Sequence, residues 1–572
     1  MSHPQLRVGL ACVLLFFAMQ TRADLELQGV EGEIARNILT HLRLDDEPCD
    51  VPRFRVRQRY RGLEQRVRAA VSPYGFYGPK IKRQLTFAED CWRVVLEVTL
   101  GEPVRVRSLE VKVSGAAQND SMFAAIDVAD YLAVGEVFVD DRYERYKRAL
   151  ADLAQERGYF DAQFTLHRVA VEREALAADV EIEFSSGDRY RYGSVTYGSD
   201  RLDERLLSRF PDFASGDFYV QHEVTKLYGD LLATDYFELV NIDKELKPDA
   251  LVDLNVELIP TKPWGLSTGI GFGTNVGPSI TGSVLNRRVN RRGHHMEWTT
   301  ALSLVEQEVA FDYRLPGNRP ASDWYSLYAG FRARDSDAIE TVGWHTGVRR
   351  GKRLKKNLFE TRFVELGEER LREDGVWRRE NSLVPGISWS YQLGGRSPRP
   401  RAGLRASLEL AGATEKILSE TSFFRTRLRG KTIFPFGSRS RLLLRGEVGH
   451  IVADDFDSVP PSWRFYAGGD ASVRGYDYQS LGPEDDDGEA TGGSRLLVGS
   501  SEFDFVVRGN WSAAVFADGG SVSRGGFGND FQWSYGIGAR WFSPLGPVRV
   551  DLAIPQQAGK SFRVHISLGP DL

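Results

Sequence analysis

The stretch WGLSTGIGFG, Trp264 to Gly273, shows the architecture of this 572-residue chain. Large apolar side chains alternate along it with small ones, and successive side chains of a β-strand point to opposite faces. One face of the strand therefore carries the large residues, while the other carries glycine and serine. The same period of two returns in YSLYAGFR from Tyr325, WSYGIGARW from Trp533 and RVHISL from Arg563. The pattern predicts a sheet of many antiparallel strands.

A membrane β-barrel explains this alternation better than a soluble sandwich or propeller, which is the alternative. Residues 263–572 contain no convincing helix, and aromatic residues stand near the ends of alternating segments, as they do at membrane interfaces. Strands persist in lipid only when closure removes both free edges. At about 19 residues per strand and turn, we expect about 16 antiparallel transmembrane strands, with the apolar face turned outward to lipid.

The overall composition excludes several other classes of protein. The formal net charge of −5 is too balanced for a chain that mainly binds nucleic acid. With 42% hydrophobic residues, the chain is not intrinsically disordered. After the N-terminus, no apolar run is long enough for a membrane-spanning helix, so a polytopic helical membrane protein is also excluded.

The N-terminus has the features of an export signal. A basic residue precedes the apolar run from Val8 to Met19, and small residues up to Ala23 suit a cleavage site. We expect residues 1–23 to be a cleaved signal peptide; an uncleaved anchor is the alternative. The exported chain would keep Cys49 and Cys91, an even number in a compartment where disulfides persist. A disulfide between them and two free thiols are both open.

Residues 24–262 repeat the order strand, helix, helix, strand, strand three times. In the first copy, the second helix is predicted from Tyr60, Leu63, Val67 and Ala70, which stand at helical spacing. Similar motifs close the second helix of each copy: Gly-Phe-Tyr at Gly75, Gly-Tyr-Phe at Gly158 and Asp-Tyr-Phe at Asp235. Their spacing of about 80 residues is typical of modules in series. We therefore expect three small α+β modules, at residues 24–102, 103–187 and 188–262, before a barrel at 263–572.

The first module carries the strongest basic cluster in the chain. It consists of Arg53, Arg55, Arg57, Arg59, Arg61, Arg66 and Arg68. Such a cluster can face anionic headgroups or an acidic partner, but a solvated helix surface is the alternative.

No motif indicates catalysis or a bound cofactor. The histidines of the barrel segment stand in no recognisable nucleophile motif, and neither cysteine nor acidic ligands accompany them at a metal-site spacing. No nucleotide-binding motif is present. We expect a protein that is not an enzyme and has neither a metal nor a cofactor.

A second informative stretch is RFYAGGDASVRGYDYQSLGP, Arg464 to Pro483, a long loop between two strands. An arginine on a loop folded into a barrel is costly to bury unless it is paired, and acids on adjacent strands can supply charged hydrogen bonds. We expect Arg474 to pair with Glu502 and Asp518 and to fix the loop to the inner wall. The predicted latch consists of Val473, Arg474, Gly475, Tyr476, Glu502 and Asp518.

This loop resembles the conserved inward-folded loop of the outer-membrane assembly and secretion superfamily, whose best-known member is BamA. The segments SEF at Ser501, FADGG at Phe516 and SPLGPVR at Ser543 resemble strand motifs of that superfamily, in the same order. The three modules resemble its polypeptide-transport-associated (POTRA) domains. With three such modules before a compact barrel, the chain resembles most closely the TamA branch, the outer-membrane subunits of translocation and assembly modules.

The resemblance implies a protein of a Gram-negative outer membrane, with its POTRA modules in the periplasm. Its partners would be outer-membrane lipid, client outer-membrane proteins, autotransporters among them, and a TamB-like inner-membrane protein, but no nucleic acid. A two-partner secretion transporter, typically with two POTRA modules, and a central BamA-type insertase, normally with five, are the alternatives.

The glycine content of the first barrel strand suggests how clients would be assembled. Glycine weakens strand propensity, so the seam between the first and last strands would zip incompletely. Its free backbone groups would then template a client strand. The expected gate residues are Trp264, Gly265, Gly269, Gly271, Val564, Ile566 and Leu568.

Overall fold

The computed structural model describes residues 24–42, 49, 51–88, 91–199, 201–336, 339–373, 375–394, 399–485, 488, 490–543, 546–556 and 561–568. The expected signal peptide, residues 1–23, lies outside the described residues. Within these ranges, no helix combines the length and the apolar character needed to cross a bilayer.

The chain divides into two compact units. The first comprises the described residues of Met1–Ser194, Phe213–His222 and Lys244–Leu254. The second comprises those of Val195–Asp212, Glu223–Asp243 and Asn255–Leu572.

Three small α+β groups precede the barrel. The first contains β1 (Asp24–Gln28), α1 (Gly32–Leu42), α2 (Arg53–Arg61), α3 (Leu63–Val71), β2 (Lys80–Phe87) and β3 (Trp92–Thr99). The second contains β4 (Arg105–Ser114), α4 (Ser121–Ala124), α5 (Asp140–Arg157), β5 (Gln163–Glu172) and β6 (Ala177–Ser185). The third contains β7 (Arg191–Gly198), α6 (Glu204–Leu207), α7 (Gln221–Leu232), β8 (Phe237–Lys247) and β9 (Leu251–Pro260).

Each group forms its own three-stranded sheet, in the orders β1-β3-β2, β4-β6-β5 and β7-β9-β8. In the first two sheets, the central strand pairs parallel with one neighbour and antiparallel with the other. In the first two groups, apolar residues of the helices and of the sheet are buried in one core. In the first group, Leu63, Val67 and Ala70 of α3 are fully buried and belong to one apolar core with β3.

The helical pattern around Tyr60 predicted one continuous helix, but the structure breaks it in two. Gly62 ends α2 and begins α3. The Arg66 side chain donates to the carbonyl of Gly62 at 3.4 Å and to that of Leu42 at 3.2 Å, and so links the break to the end of α1. A disulfide joins Cys49, just before α2, to Cys91, just before β3.

Residues from 264 onward form one antiparallel sheet of 16 strands, paired in sequence order. This confirms the predicted barrel and its number of strands. The strands are β10 (Trp264–Gly273), β11 (Gly277–Asn286), β12 (His295–Ser303), β13 (Glu306–Pro316), β14 (Asp323–Ser336), β15 (Ile339–Lys355), β16 (Leu358–Glu373), β17 (Val376–Gly394), β18 (Gly403–Ala413), β19 (Phe423–Phe436), β20 (Ser440–Ala453), β21 (Arg495–Arg508), β22 (Trp511–Ser523), β23 (Gln532–Ser543), β24 (Gly546–Pro555) and β25 (Arg563–Leu568).

The barrel is apolar outside and polar inside, as the alternation predicted. Leu266 and Ile270 on β10 are 76% and 85% exposed. In contrast, Arg441 on β20 and Asp504 on β21 are buried and form an ion pair of 2.6 Å. Such an inverted arrangement suits a sheet that is surrounded by lipid.

Candidate functional site: a buried ion cluster and the barrel seam

The loop between β20 and β21 folds against the inner wall through Arg474. Its Nε and Nη2 donate to the two carboxylate oxygens of Asp518 at 2.7 and 2.9 Å. Its Nη1 donates to Glu502 at 2.7 Å and to Asp551 at 3.1 Å. The guanidinium carbon lies 3.5 Å from the ring centre of Phe516. The structure therefore brings Arg474 together with Glu502 and Asp518, and adds a third acid and an aromatic ring.

A second arginine completes the cluster from below the loop. Arg540 on β23 is 1% exposed, and its Nε donates to Glu502 at 3.1 Å. It also pairs with Asp551 on β24 at 2.6 Å. Arg445 on β20 lines a cavity of about 80 Å³ together with Arg474 and Glu502. It donates to the carbonyl of Ser472 in the loop at 2.5 Å.

Two arginines of the cluster, Arg474 and Arg540, form ion pairs with its three acids. Glu502, Asp518, Arg540 and Asp551 come from the four consecutive strands β21 to β24. Each points inward because alternate residues of a strand share one face. Buried charges persist when each is paired and hydrogen-bonded, so the loop arginine is part of the folded wall.

Two glycines create the space that this packing needs. Gly475 follows the loop arginine with φ of +92°, where a side chain would be strained, and a Cβ would lie 3.3 Å from Ser534 Cβ. Gly538 on β23 stands directly opposite Asp551, and a Cβ there would collide with that carboxylate and with Arg540.

The two apolar members of the predicted latch also lie against the wall. Val473 and Tyr476 are fully buried in one cluster with residues of β20 to β22. The Tyr476 hydroxyl donates to Gln532 Oε1 at 3.1 Å and to the carbonyl of Trp533 at 3.2 Å.

The same loop contacts both ends of the 16-stranded sheet. The N–H of Gly475 donates to His565 Nε2 on β25 at 2.7 Å, and the other ring nitrogen of His565 contacts Asp470. Thr274, just after β10, donates from its hydroxyl to the two carboxylate oxygens of Asp470 at 3.1 and 3.2 Å. Asp470 thus connects the last strand to the end of the first.

The seam itself has few described bonds. The N–H of Thr274 donates to the carbonyl of Ile566 at 3.2 Å, and the N–H of Ile566 donates to the Thr274 hydroxyl at 3.1 Å. In the strand order of the described residues, β10 and β25 stand at opposite ends. The seam partner of Ile566 is Thr274.

The expected gate residues lie on these two end strands. Each end strand is paired with its neighbour in the sheet along the edge away from the seam. Trp264, Gly265, Gly269 and Gly271 lie on β10, which pairs with β11 over its whole length. Val564, Ile566 and Leu568 lie on β25, opposite Leu552, Val550 and Val548 of β24.

Sequence reasoning did not assign roles to Arg540, Asp551, Asp470 and His565. Arg540 carried a signal, because it is a charge on the small-residue face of β23, but its partners and the role of Asp551 depend on the strand register. His565 had no distinguishing spacing, and its contact with the loop depends on the folded barrel. Within the described residues, no group of three or more His, Cys, Asp or Glu is arranged to hold a metal ion.

Two family models match the chain. Residues 325–571 match the Omp85 superfamily domain, which covers the strands from β14 onward and the loop. Residues 24–100 match the POTRA domain described as TamA domain 1.

Two curated relatives are similar in sequence, and one solved structure is similar in fold. The outer membrane protein assembly factor BamA of Nitratidesulfovibrio vulgaris is 20% identical over 78% of this chain and 59% of its own length. BamA of Neisseria meningitidis serogroup B is 30% identical over 27% of this chain and 23% of its own length. The crystal structure of BamA from Haemophilus ducreyi lacking POTRA domains 1–3 superposes with a TM-score of 0.68 at 15% identity, covering 82% of this chain and 99% of that one.

The chain spans 59% and 23% of the lengths of these two BamA relatives. The family matches and the BamA relatives indicate an outer-membrane protein of a Gram-negative bacterium, with the POTRA modules in the periplasm. The protein thus combines an Omp85 superfamily barrel domain with a TamA-type POTRA domain at its N-terminal end.

Proposed function

We propose that this chain assembles and inserts outer-membrane proteins, autotransporters among them, by templating client strands at the seam between β10 and β25. The observation that carries the proposal is the bonding at this seam, where Thr274 and Ile566 supply the described contacts. Free N–H and C=O groups along a strand edge bind a further strand, and in lipid they must be satisfied.

Opening of the seam requires contacts with the loop to break. Asp470 contacts Thr274 on one side and His565 on the other, so separating the two end strands requires at least one of these contacts to break. The Arg474 cluster holds the loop on the wall of β21 to β24 while this happens. A latch that stays fixed on one side lets the seam open and reclose in the same register.

The POTRA modules would bring the partner and the clients. The TamA-type match of the first module supports a TamB-like inner-membrane partner. A crosslinking pull-down from intact envelopes tests this choice. Recovery of a long inner-membrane-anchored protein supports it, whereas recovery of assembly lipoproteins, or of one secreted substrate alone, favours a central insertase or a secretion transporter.

A reversible crosslink across the seam tests the templating step. We would place cysteines at Thr274 and Ile566, reconstitute the full chain in vesicles, and measure the folded, protease-resistant fraction of an added client barrel. Oxidation should abolish client insertion, and reduction should restore it. Undiminished insertion through the oxidised seam would contradict the proposal.

A matched pair controls for the oxidation itself. Ile280 and Leu302 are direct partners on β11 and β12, both exposed to lipid, and their strands are already paired. A disulfide between cysteines at these positions closes no seam. Client insertion should therefore be the same in its oxidised and reduced forms.

A further inference from the structure

Helix α2 of the first module contributes little to the core of that module. Of its nine residues, Val56 is the buried one, and Tyr60 is partly buried. A nine-residue helix with one buried side chain gains little stability from packing. Its sequence, RFRVRQRYR, must therefore be explained by something other than the fold.

Five arginines of this basic cluster are exposed: Arg53, Arg55, Arg57, Arg61 and Arg68. Within the part of the chain that the structure describes, no ion pair with an acid is found for Arg53, Arg55, Arg57, Arg61 or Arg68. Arg53 and Arg57 are one turn apart, as are Arg57 and Arg61, and like charges at this spacing repel each other. The helix thus keeps an unfavourable charge pattern that a binding partner of opposite charge would relieve.

Arg66 of the same cluster has a different role. Its guanidinium donates to the main-chain carbonyl of Gly62, at the break between α2 and α3, and to that of Leu42, at the end of α1. This arginine is structural, and the surface for a partner consists of the exposed ones.

The arrangement of the charges on α2 suits a flat partner surface better than a partner with a groove. At 100° per residue, Arg53, Arg57 and Arg61 lie along one side of α2, and Arg55 and Arg59 along the other. Phe54 stands between the two rows, on the face away from Val56, and is 68% exposed. The ring of Phe87 lies under Arg53 and Arg57, at 5.2 and 5.7 Å, and keeps these two side by side.

We infer that this face of α2 binds the anionic phospholipid headgroups of a bilayer that borders the periplasm. Guanidinium groups bind phosphate through two parallel hydrogen bonds, and two rows of them can reach headgroups on both sides of the helix. Phe54 enters the interface between the rows, as aromatic residues do on surface-binding helices. This inference is independent of the assembly function proposed for the seam.

Vesicle binding by the full chain tests the inference. The barrel is first embedded in phosphatidylcholine nanodiscs, so that its apolar band is covered, and capture by phosphatidylethanolamine–phosphatidylglycerol vesicles is then measured by flotation. The variant Arg53→Gln/Arg55→Gln/Arg57→Gln should bind about a hundredfold more weakly, because each basic side chain near an anionic surface contributes about 1 kcal/mol. The corresponding triple lysine variant should keep most of the binding.

The matched control removes the same charge from another exposed helix. Arg142, Arg145 and Arg148 lie on α5, where they pair with Glu136 or Asp141, and their triple glutamine variant should bind as the wild type does. Circular dichroism and the melting of each variant verify folding.

Three results would overturn the inference. They are equal weakening in the α2 and α5 variants, binding that is unchanged on vesicles of phosphatidylcholine alone, and binding to soluble polyglutamate without binding to vesicles. The last result would assign the surface to an acidic protein.

Discussion

Arg474 illustrates how one side chain of a loop can depend on three strands, since its acidic partners lie on β21, β22 and β24. Replacing it with alanine would leave Glu502, Asp518 and Asp551 with one arginine fewer in a buried site. Breaking such a pair typically costs about 3–5 kcal/mol. We expect Arg474→Ala to free the loop for proteolysis and to lower client insertion strongly. Arg474→Lys keeps the charge but loses the two-pronged bond to Asp518, so its effect should be smaller.

The exposed Arg508 at the end of β21 provides the control for this prediction. Arg508→Ala should leave both loop cleavage and client insertion unchanged. Full activity and full protease resistance in both Arg474 variants would show that the cluster does not hold the loop.

Asp120, between β4 and α4, gives the second group a predictable dependence on pH. Burial by itself raises the pKa of Asp120, but bonds from Arg157, the Met122 N–H and Tyr159 outweigh it and lower that pKa. Burial and the bond to Asp120 raise the pKa of Tyr159 to about 12. The stabilising effect of ionised Asp120 is therefore complete above its unfolded pKa of about 4 and is lost as pH falls through its lower folded pKa.

Hydrogen exchange measured by mass spectrometry, corrected for intrinsic rates, checks the direction of this dependence of stability on pH. At neutral pH, peptides around residue 120 and α5 should be less protected in Asp120→Asn than in the wild type. As pH falls below the lowered folded pKa of Asp120, the two proteins should converge. A constant difference between them at every pH would contradict the assignment.

At the scale of elements, β10 shows that a glycine in one strand can leave room for a side chain of the adjacent strand. A Cβ at Gly269 would lie 2.7 Å from the hydroxyl of Thr281 on β11. Gly269→Ala should destabilise the barrel by about 1–2 kcal/mol, because overpacking strains both strands. Adding Thr281→Ala should restore most of the loss, as measured by the temperature at which the folded form disappears on a gel.

Gly430 on β19 is the control for that substitution, since a Cβ there meets nothing within 4 Å. Gly430→Ala should leave the unfolding temperature of the barrel unchanged. If Thr281→Ala fails to rescue Gly269→Ala, Gly269 does not serve to make room for Thr281. It would then act as first expected, by weakening the strand itself.

The sequence predicted whole elements better than it predicted their junctions. Alternation from Trp264 onward identified the barrel, since a period of two survives in any strand with two different faces. The helix break at Gly62 was missed because Tyr60, Leu63 and Val67 keep helical spacing across it. In the cluster, Arg474 and its two expected acids came from a motif. Arg540, Asp551 and His565 required the strand register, which no single stretch of sequence contains.

At the scale of the whole molecule, the second compact unit includes both barrel strands and parts of the third group. Tyr236, just before β8, is fully buried, and its hydroxyl bonds the carbonyl of Gly293 in the turn between β11 and β12. Its ring stacks on His295 at 4.8 Å. Asp203 adds a main-chain bond to the carbonyl of Arg291 at 2.8 Å and an ion pair with its side chain at 3.2 Å.

These contacts predict that the third group and the β11–β12 turn lose protection together. Tyr236→Ala removes a buried aromatic ring and its hydrogen bond, a change that typically costs about 3–5 kcal/mol. Hydrogen exchange should then accelerate in residues 203–210 and 287–294, while the strands β19 to β22 keep their protection. Tyr228→Ala, at an exposed position on α7, should change neither segment. If exchange in the turn stays slow in Tyr236→Ala, the turn is held by the barrel alone, and the third group is free to move without it.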